Sequence, residues 1–336
     1  MSIAIFGAFE SGIIYAIMAL GVYLSFRVLD FPDLTVDGSF VTGAAVAATL
    51  IINDVNPVIA TLVAMFIGFI AGSMTGVLHT FGKVNALLSG ILMMIALYSI
   101  NLRIMGRSNV PLLNTDTMFD HIQAFWVTIG LDGMLSSIFS PLGLTPRTYS
   151  VLFTMIVVTF IIKLLCDQFL KTEIGLAIRA TGDNKRMIRS FSANTNLLVI
   201  LGLGISNALV ALSGALIAQY GGFADVGMGI GMIIIGLASV IIGEAIFGTK
   251  TIARVTLAVI GGAIIYRIVV TLALRVDFLE TGDMKLITAV IVIMALITPK
   301  AIDGYRDRKR KRQRLKEMMA LSTNQQEEES QNAALK

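Results

Sequence analysis

Residues able to do chemistry are scarce in this chain, and three aspartates stand close together in one place. Asp30, Asp33 and Asp37 fall within DFPDLTVDGSFVTG, just ahead of a short apolar run. Short, Gly/Pro-interrupted segments of this kind line substrate paths in transporters, because a broken helix exposes backbone groups that must face a cavity. The alternative is an ordinary loop in which Asp37 or Ser39 caps the helix that follows. A second interrupted stretch, ADVGMGIGMIIIGLASVIIG, contains Asp225 and Ser239 and is dense in glycine. The two stretches are expected to run in opposite directions, the relation of inverted repeats. Glycines there would equally serve close helix packing. Asp33, Thr35, Asp37 and Ser39 from the first half, with Asp225 and Ser239 from the second, are the candidates for lining a pathway.

Glu10 lies inside the first apolar run, and Asn101 and Arg103 lie near the end of the fourth. An ionisable group at membrane depth is costly and faces a cavity or a partner, unless it reaches the interface by snorkelling. Catalytic motifs are absent. The stretch GEAIFGTKT has one residue too many between Gly248 and Lys250 for a phosphate-binding loop, and no strand precedes it. The two histidines, His79 and His121, fall on opposite sides of the membrane in the topology derived below, and Cys166 is the single cysteine. No histidine-rich metal or acid–base site and no disulfide framework is available, so neither enzymatic activity nor a cofactor is expected.

The elements that hold these residues follow from composition. The 336 residues are 56% hydrophobic and 14% charged, with mean hydropathy +0.82, which leaves too little polar surface to cover a water-soluble core. Continuous apolar runs near 5–26, 39–52, 57–77, 86–105, 149–170, 197–220, 227–246, 253–274 and 285–299 are helical spans rather than barrel strands. The fold class is an all-α polytopic transmembrane bundle of about 8–10 spans. The first run lacks the basic flank and cleavage site of a signal peptide and is expected to stay as an anchor.

Lysine and arginine collect around Lys83, from Lys171 to Arg189, around Lys250 and Arg254, and in the tail, all of which are expected to be cytoplasmic. Counting back places the N-terminus outside. The connection 106–148 reads as an external cap with a short surface helix. Loop 171–196 is too polar to span; Asp183 is the expected N-cap of a short cytoplasmic helix whose Met187, Ile188 and Phe191 form one apolar face. The transmembrane domain is thus 1–300, followed by a tail, 301–336, expected to be basic and then polar and disordered. Its basic run after a hydrophobic helix, Arg306 to Lys316, is a topology signal that also touches anionic lipid, and nucleic acid is not an expected partner.

Three passages carry a resemblance to a known family. They are SGIIYAIMALGVYLSFRVLDF with Gly12, Tyr15, Ala16, Ala19, Leu20 and Gly21; FPDLTVDGSFVTGAAVAA; and IGLAIRATGDNKRMIRSFSANTN followed by SNALVALSGALIAQYGG. Over residues 5–300 the chain resembles the permease subunits of bacterial ABC importers in the branched-chain amino acid and ribose permease superfamily, a type II importer architecture. The wording DLTVDGSF is closest to a subgroup linked to tryptophan- and tyrosine-type binding proteins. The resemblance implies cytoplasmic ATPase subunits, a second permease copy, an external binding protein and a bacterial plasma-membrane location. It also implies that Asp183, Asn184, Met187, Ile188 and Phe191 dock the ATPase. A rival is an ion-coupled secondary transporter, for which Glu10 and Glu244 are the available carboxylates; a membrane-embedded enzyme would need clustered His, Asp or Glu residues that the sequence lacks.

Overall fold

The computed structural model describes residues 2–130, 132, 148–190, 193–273, 286, 289–290 and 293–294. The chain divides into a unit of residues 1–289 and a C-terminal unit of residues 290–336, and the architecture below is that of the first. Most of the ninth predicted run, the tail and Phe191 lie outside the described residues.

Among the described residues, eight helical segments are long and apolar enough to cross a membrane. They are α1 (Ser2–Tyr23) with its π-helical continuation Leu24–Val28, α2 (Thr35–Ile52), α3 (Pro57–Thr80), α4 (Ala86–Met105), α6 (Ser150–Lys171), α9 (Thr195–Gly221), α10 (Met232–Phe247) with a preceding 3-10 turn Val226–Gly229, and α11 (Ile252–Ala273). Shorter helices α5 (Met118–Ile129), α7 (Glu173–Asp183) and α8 (Lys185–Ser190) lie between them. The all-α bundle agrees with the sequence reading, and these eight segments fall on the first eight predicted runs, α2 starting earlier than expected.

Local chemistry sets the boundaries. Asn56 and Asn85 cap α3 and α4 by accepting from Val58 N and Leu87 N, each at 2.9 Å, and Pro57 occupies the first turn of α3 where its missing N–H costs nothing. Gly106 and Gly222, with φ of 66° and 73°, close α4 and α9 in the left-handed region. Every long helix is apolar nearly all round, so hydropathy alone does not say which is central. Burial does: 78% of the α2 window is buried inside the bundle but only 22% of the α4 window.

Small residues let the central helices touch. A Cβ on Gly43 would collide with the Ala211 carbonyl, and one on Gly214 with the Phe40 carbonyl, so α2 and α9 meet backbone to backbone. The basic residues Arg27, Lys83, Lys171, Lys185, Lys250 and Arg254 fall at or beyond the helix termini of one end of the bundle, here the basic end. At the other end, strand β1 (Asn109–Pro111) pairs antiparallel with β2 (Phe223–Asp225), tying the segment after α4 to the segment after α9.

Three local expectations need correction. Helix α2 starts at Thr35 rather than near residue 39, so Asp37 sits in its first turn. Loop 171–196 holds two helices instead of one. Thr172 starts α7 by accepting from Gly175 N, which makes Asp183 its last residue, and Asn184, not Asp183, caps α8 by accepting from Met187 N at 3.1 Å. Finally, Ile188 is buried while Met187 is 45% exposed, so the two do not share one outward face.

Candidate functional site

Two interruptions of helical structure meet inside the bundle. The first follows α1: the wider π turn Leu24–Val28 ends with Leu29 N donating to Leu24 O at 3.0 Å, Asp30 adopts φ 51°, and residues 31–34 lead into α2. The second follows α9, where β2, the 3-10 turn and Gly231 (φ 88°) precede α10. Asp37 joins them. Its Oδ2 accepts from Gly231 N at 2.9 Å and its Oδ1 from Ile233 N at 2.8 Å, so a carboxylate of α2 satisfies the free amides at the start of α10. The two expected pathway segments are therefore in direct contact, N-terminus to N-terminus.

Beside this junction lies a cavity of about 350 Å³ whose wall includes Asp37, Gly38, Val41, Met94, Tyr98 and Asn101, with Ile230 also part of it. The wall is apolar apart from Asp37, the Tyr98 hydroxyl and the Asn101 amide. Asn101 Nδ2 donates to Gly38 O at 3.2 Å, bracing α4 against α2, while its buried Oδ1 has no partner.

The other candidates from the first stretch are interior. Asp33 is fully buried; Oδ1 accepts from Thr35 N at 2.9 Å and Oδ2 from Asn207 Nδ2 at 2.6 Å. The Thr35 and Thr75 hydroxyls are 2.7 Å apart, and Ser39 is buried with an unpaired Oγ. Asp225 accepts from Gly227 N at 2.7 Å and so shapes the 3-10 turn, and Ser239 donates to Ile235 O at 2.8 Å within α10. Of the six, Asp37 alone lies on the cavity wall.

At the basic end α7 packs on the π turn: a Cβ on Gly182 would collide with the Val28 carbonyl, and buried Ile178 and Leu29 belong to one apolar cluster. Arg27, in the same turn, pairs with Glu244 in the last turn of α10, its Nε 3.1 Å from Oε1. Of the coupling candidates, Asp183, Asn184 and Met187 are exposed, Ile188 is buried, and Phe191 lies outside the described residues. Several polar partners went unsingled in the sequence reading. Lys163 meets Asp167 at 2.5 Å, and Thr256 donates to the same carboxylate at 2.6 Å, joining α6 to α11. Tyr220 donates to Glu10 at 2.9 Å, and the Arg267 guanidinium stands 4.7 Å over the Tyr15 ring. Their signal was a charged or amide side chain in the middle of an apolar run, which at membrane depth demands a partner. Among the described residues no cluster of metal-binding side chains occurs.

The profile of a family described as the permease component of the branched-chain amino acid transport system matches residues 4–297. The chain belongs to this permease family. It is 44% identical over 294 residues to a tyrosine transport system permease protein of Clostridioides difficile (strain R20291), covering 88% of this chain and 90% of that one. An uncharacterised protein of Rickettsia prowazekii (strain Madrid E) is 32% identical over 300 residues, covering 88% of this chain and 98% of its own length. The ribose import permease protein RbsC of Escherichia coli K12 is 25% identical over 210 residues, 62% of this chain and 59% of that protein. No solved structure matches significantly. As a permease with eight candidate spans among its described residues, the protein is a multi-pass membrane component of a transport system.

Proposed function

We propose that this permease forms, with a second copy of itself, the membrane channel of an ATP-driven bacterial importer for an aromatic amino acid. Cytoplasmic ATPase subunits dock on the α7–α8 loop, an external binding protein delivers the amino acid at the β1–β2 end, and the basic end with the tail faces the cytoplasm, where the tail touches anionic lipid. The tyrosine transport permease relative supports the substrate class. The observation that carries the mechanism is the Asp37 clamp on α10 beside an apolar cavity.

A continuous connection runs from the docking loop to that clamp. Helix α7 rests on the π turn, the π turn is ion-paired to the far end of α10, and the chain runs on through Asp33, anchored to Asn207, to Asp37. A push on α7 and α8 therefore reaches both ends of α10. The helices around the cavity alternate between outward and inward arrangements as the ATPases close, and this chain itself performs no chemistry.

The test is uptake of labelled L-tyrosine into proteoliposomes containing the permease, its ATPase and its binding protein. Uptake that requires ATP and the binding protein is the expected result. Uptake by the permease alone, driven by a proton or sodium gradient, would overturn the reading.

A further inference from the structure

A second cavity, distinct from the one beside Asp37, opens at the basic end between the α3–α4 loop and the start of α9. Its volume is about 460 Å³, and His79, Lys83, Lys185 and Arg189 line it together with Asn85 and Thr195 among others. No carboxylate is among its lining residues. Lys83, Lys185 and Arg189 are exposed, and among the described residues none of the three forms an ion pair; the pairs present are Arg27 with Glu244 and Lys163 with Asp167. Arg189 donates instead to the Thr195 hydroxyl at 3.2 Å, which holds its guanidinium at the cavity wall. His79 is positioned by Nδ1, 2.9 Å from Val84 O, and by an edge-on contact with Phe31.

Gathering cations without counter-charge raises the free energy of each, and an anion in their midst lowers it. Partial burial of the Lys185 ammonium, and after it the charge of Arg189, push the group below the usual lysine range, and the field of Asp30 partly opposes them. Asp30 itself lines a different cavity, with Arg27 and Arg179. Helices α4 and α9 also begin at this cavity, at Ala86 and Thr195, and add the positive ends of their dipoles.

What flanks the cations identifies the anion. Phe81, Leu87, Leu88 and Leu197 are 68%, 48%, 49% and 52% exposed on the same helix ends. A small aqueous anion has no use for such a border, whereas a phospholipid places a phosphate among cations and its acyl chains along apolar side chains. We infer that this cavity is a binding site for the headgroup of an anionic phospholipid, separate from any contact made by the basic tail.

The experiment is native mass spectrometry of the full chain, released from detergent containing equal amounts of phosphatidylglycerol and phosphatidylcholine, comparing wild type with K83Q/K185Q/R189Q. The tail is the same in both proteins, so its contribution cancels. Wild type should retain phosphatidylglycerol preferentially, and each charge removed should reduce that preference about fivefold. The charge-retaining control K83R/K185R should keep it. Inorganic phosphate added to the wild type should leave the lipid bound. Three results would overturn the inference: an unchanged preference in the neutralised chain, displacement of the lipid by inorganic phosphate alone, or loss of a co-purifying ATPase from the variant with lipid retention intact.

Discussion

Asp33 lies just ahead of α2 and Asp37 in its first turn, and the two meet different partners. Asp33 is sealed in the interior, and Asn207 is the side-chain amide that makes its burial tolerable. N207A should therefore lower stability by about 1–3 kcal/mol, the cost of stranding a buried acceptor, seen as a lower unfolding midpoint in detergent. Asp37 instead holds another helix. Replacing it by alanine frees the first amides of α10, and loss of such a cap costs about 0.5–2 kcal/mol. Asparagine keeps one acceptor oxygen, so tyrosine uptake should fall in the order Asp37, D37N, D37A, with the unfolding midpoint much less affected than uptake. Lys163 and Asp167 give a third residue-scale expectation. K163M alone should cost about 3–5 kcal/mol by leaving a buried carboxylate unpaired, while K163M/D167L should recover most of it. A double-mutant cycle on the unfolding midpoint checks this.

At the scale of elements, α8 separates two effects that its sequence alone runs together. Met187 is exposed and Ile188 is buried. If the α7–α8 loop docks the ATPase, M187D should leave the permease folded but uncouple ATP hydrolysis from uptake, whereas I188D should impair folding itself, a difference readable by size-exclusion profile and stimulated ATPase activity. The long helices were legible because about 20 apolar residues bounded by Asn, Pro and Gly have few alternatives in a membrane. Helix order within the bundle was not: α2 and α4 read almost equally apolar, yet one is central and the other peripheral, since in lipid it is small residues such as Gly43 and Gly214, not hydropathy, that choose neighbours. The break before α10 was visible in its glycines. Its clamp was not, because a capping acceptor 194 positions earlier in the chain leaves no local pattern. Similarly, Asp183 reads as a helix start, and only the backbone path determines that it ends α7 and that Asn184 caps the next helix.

For the whole molecule, orientation is the property most open to a direct measurement. Cys166 is buried against α6's neighbours, so single cysteines added at exposed sites can be read without removing it. Cysteines at Lys83 and Lys185 should react with an impermeant maleimide only from the cytoplasmic side, and those at Asp54 and Asp116 only from the other. Labelling of both sets from one side would refute the topology. The close glycine contacts between α2 and α9 bear on how such a molecule can move. Two rods whose backbones touch have no layer of side chains to shear, so they turn as a single block. Gly21 and Gly72 bring α1 and α3 just as close to the α9 backbone, so the block takes in all four helices, and rocking of α10 against it falls on the chain from Gly222 to Gly231, with α9 as the keel.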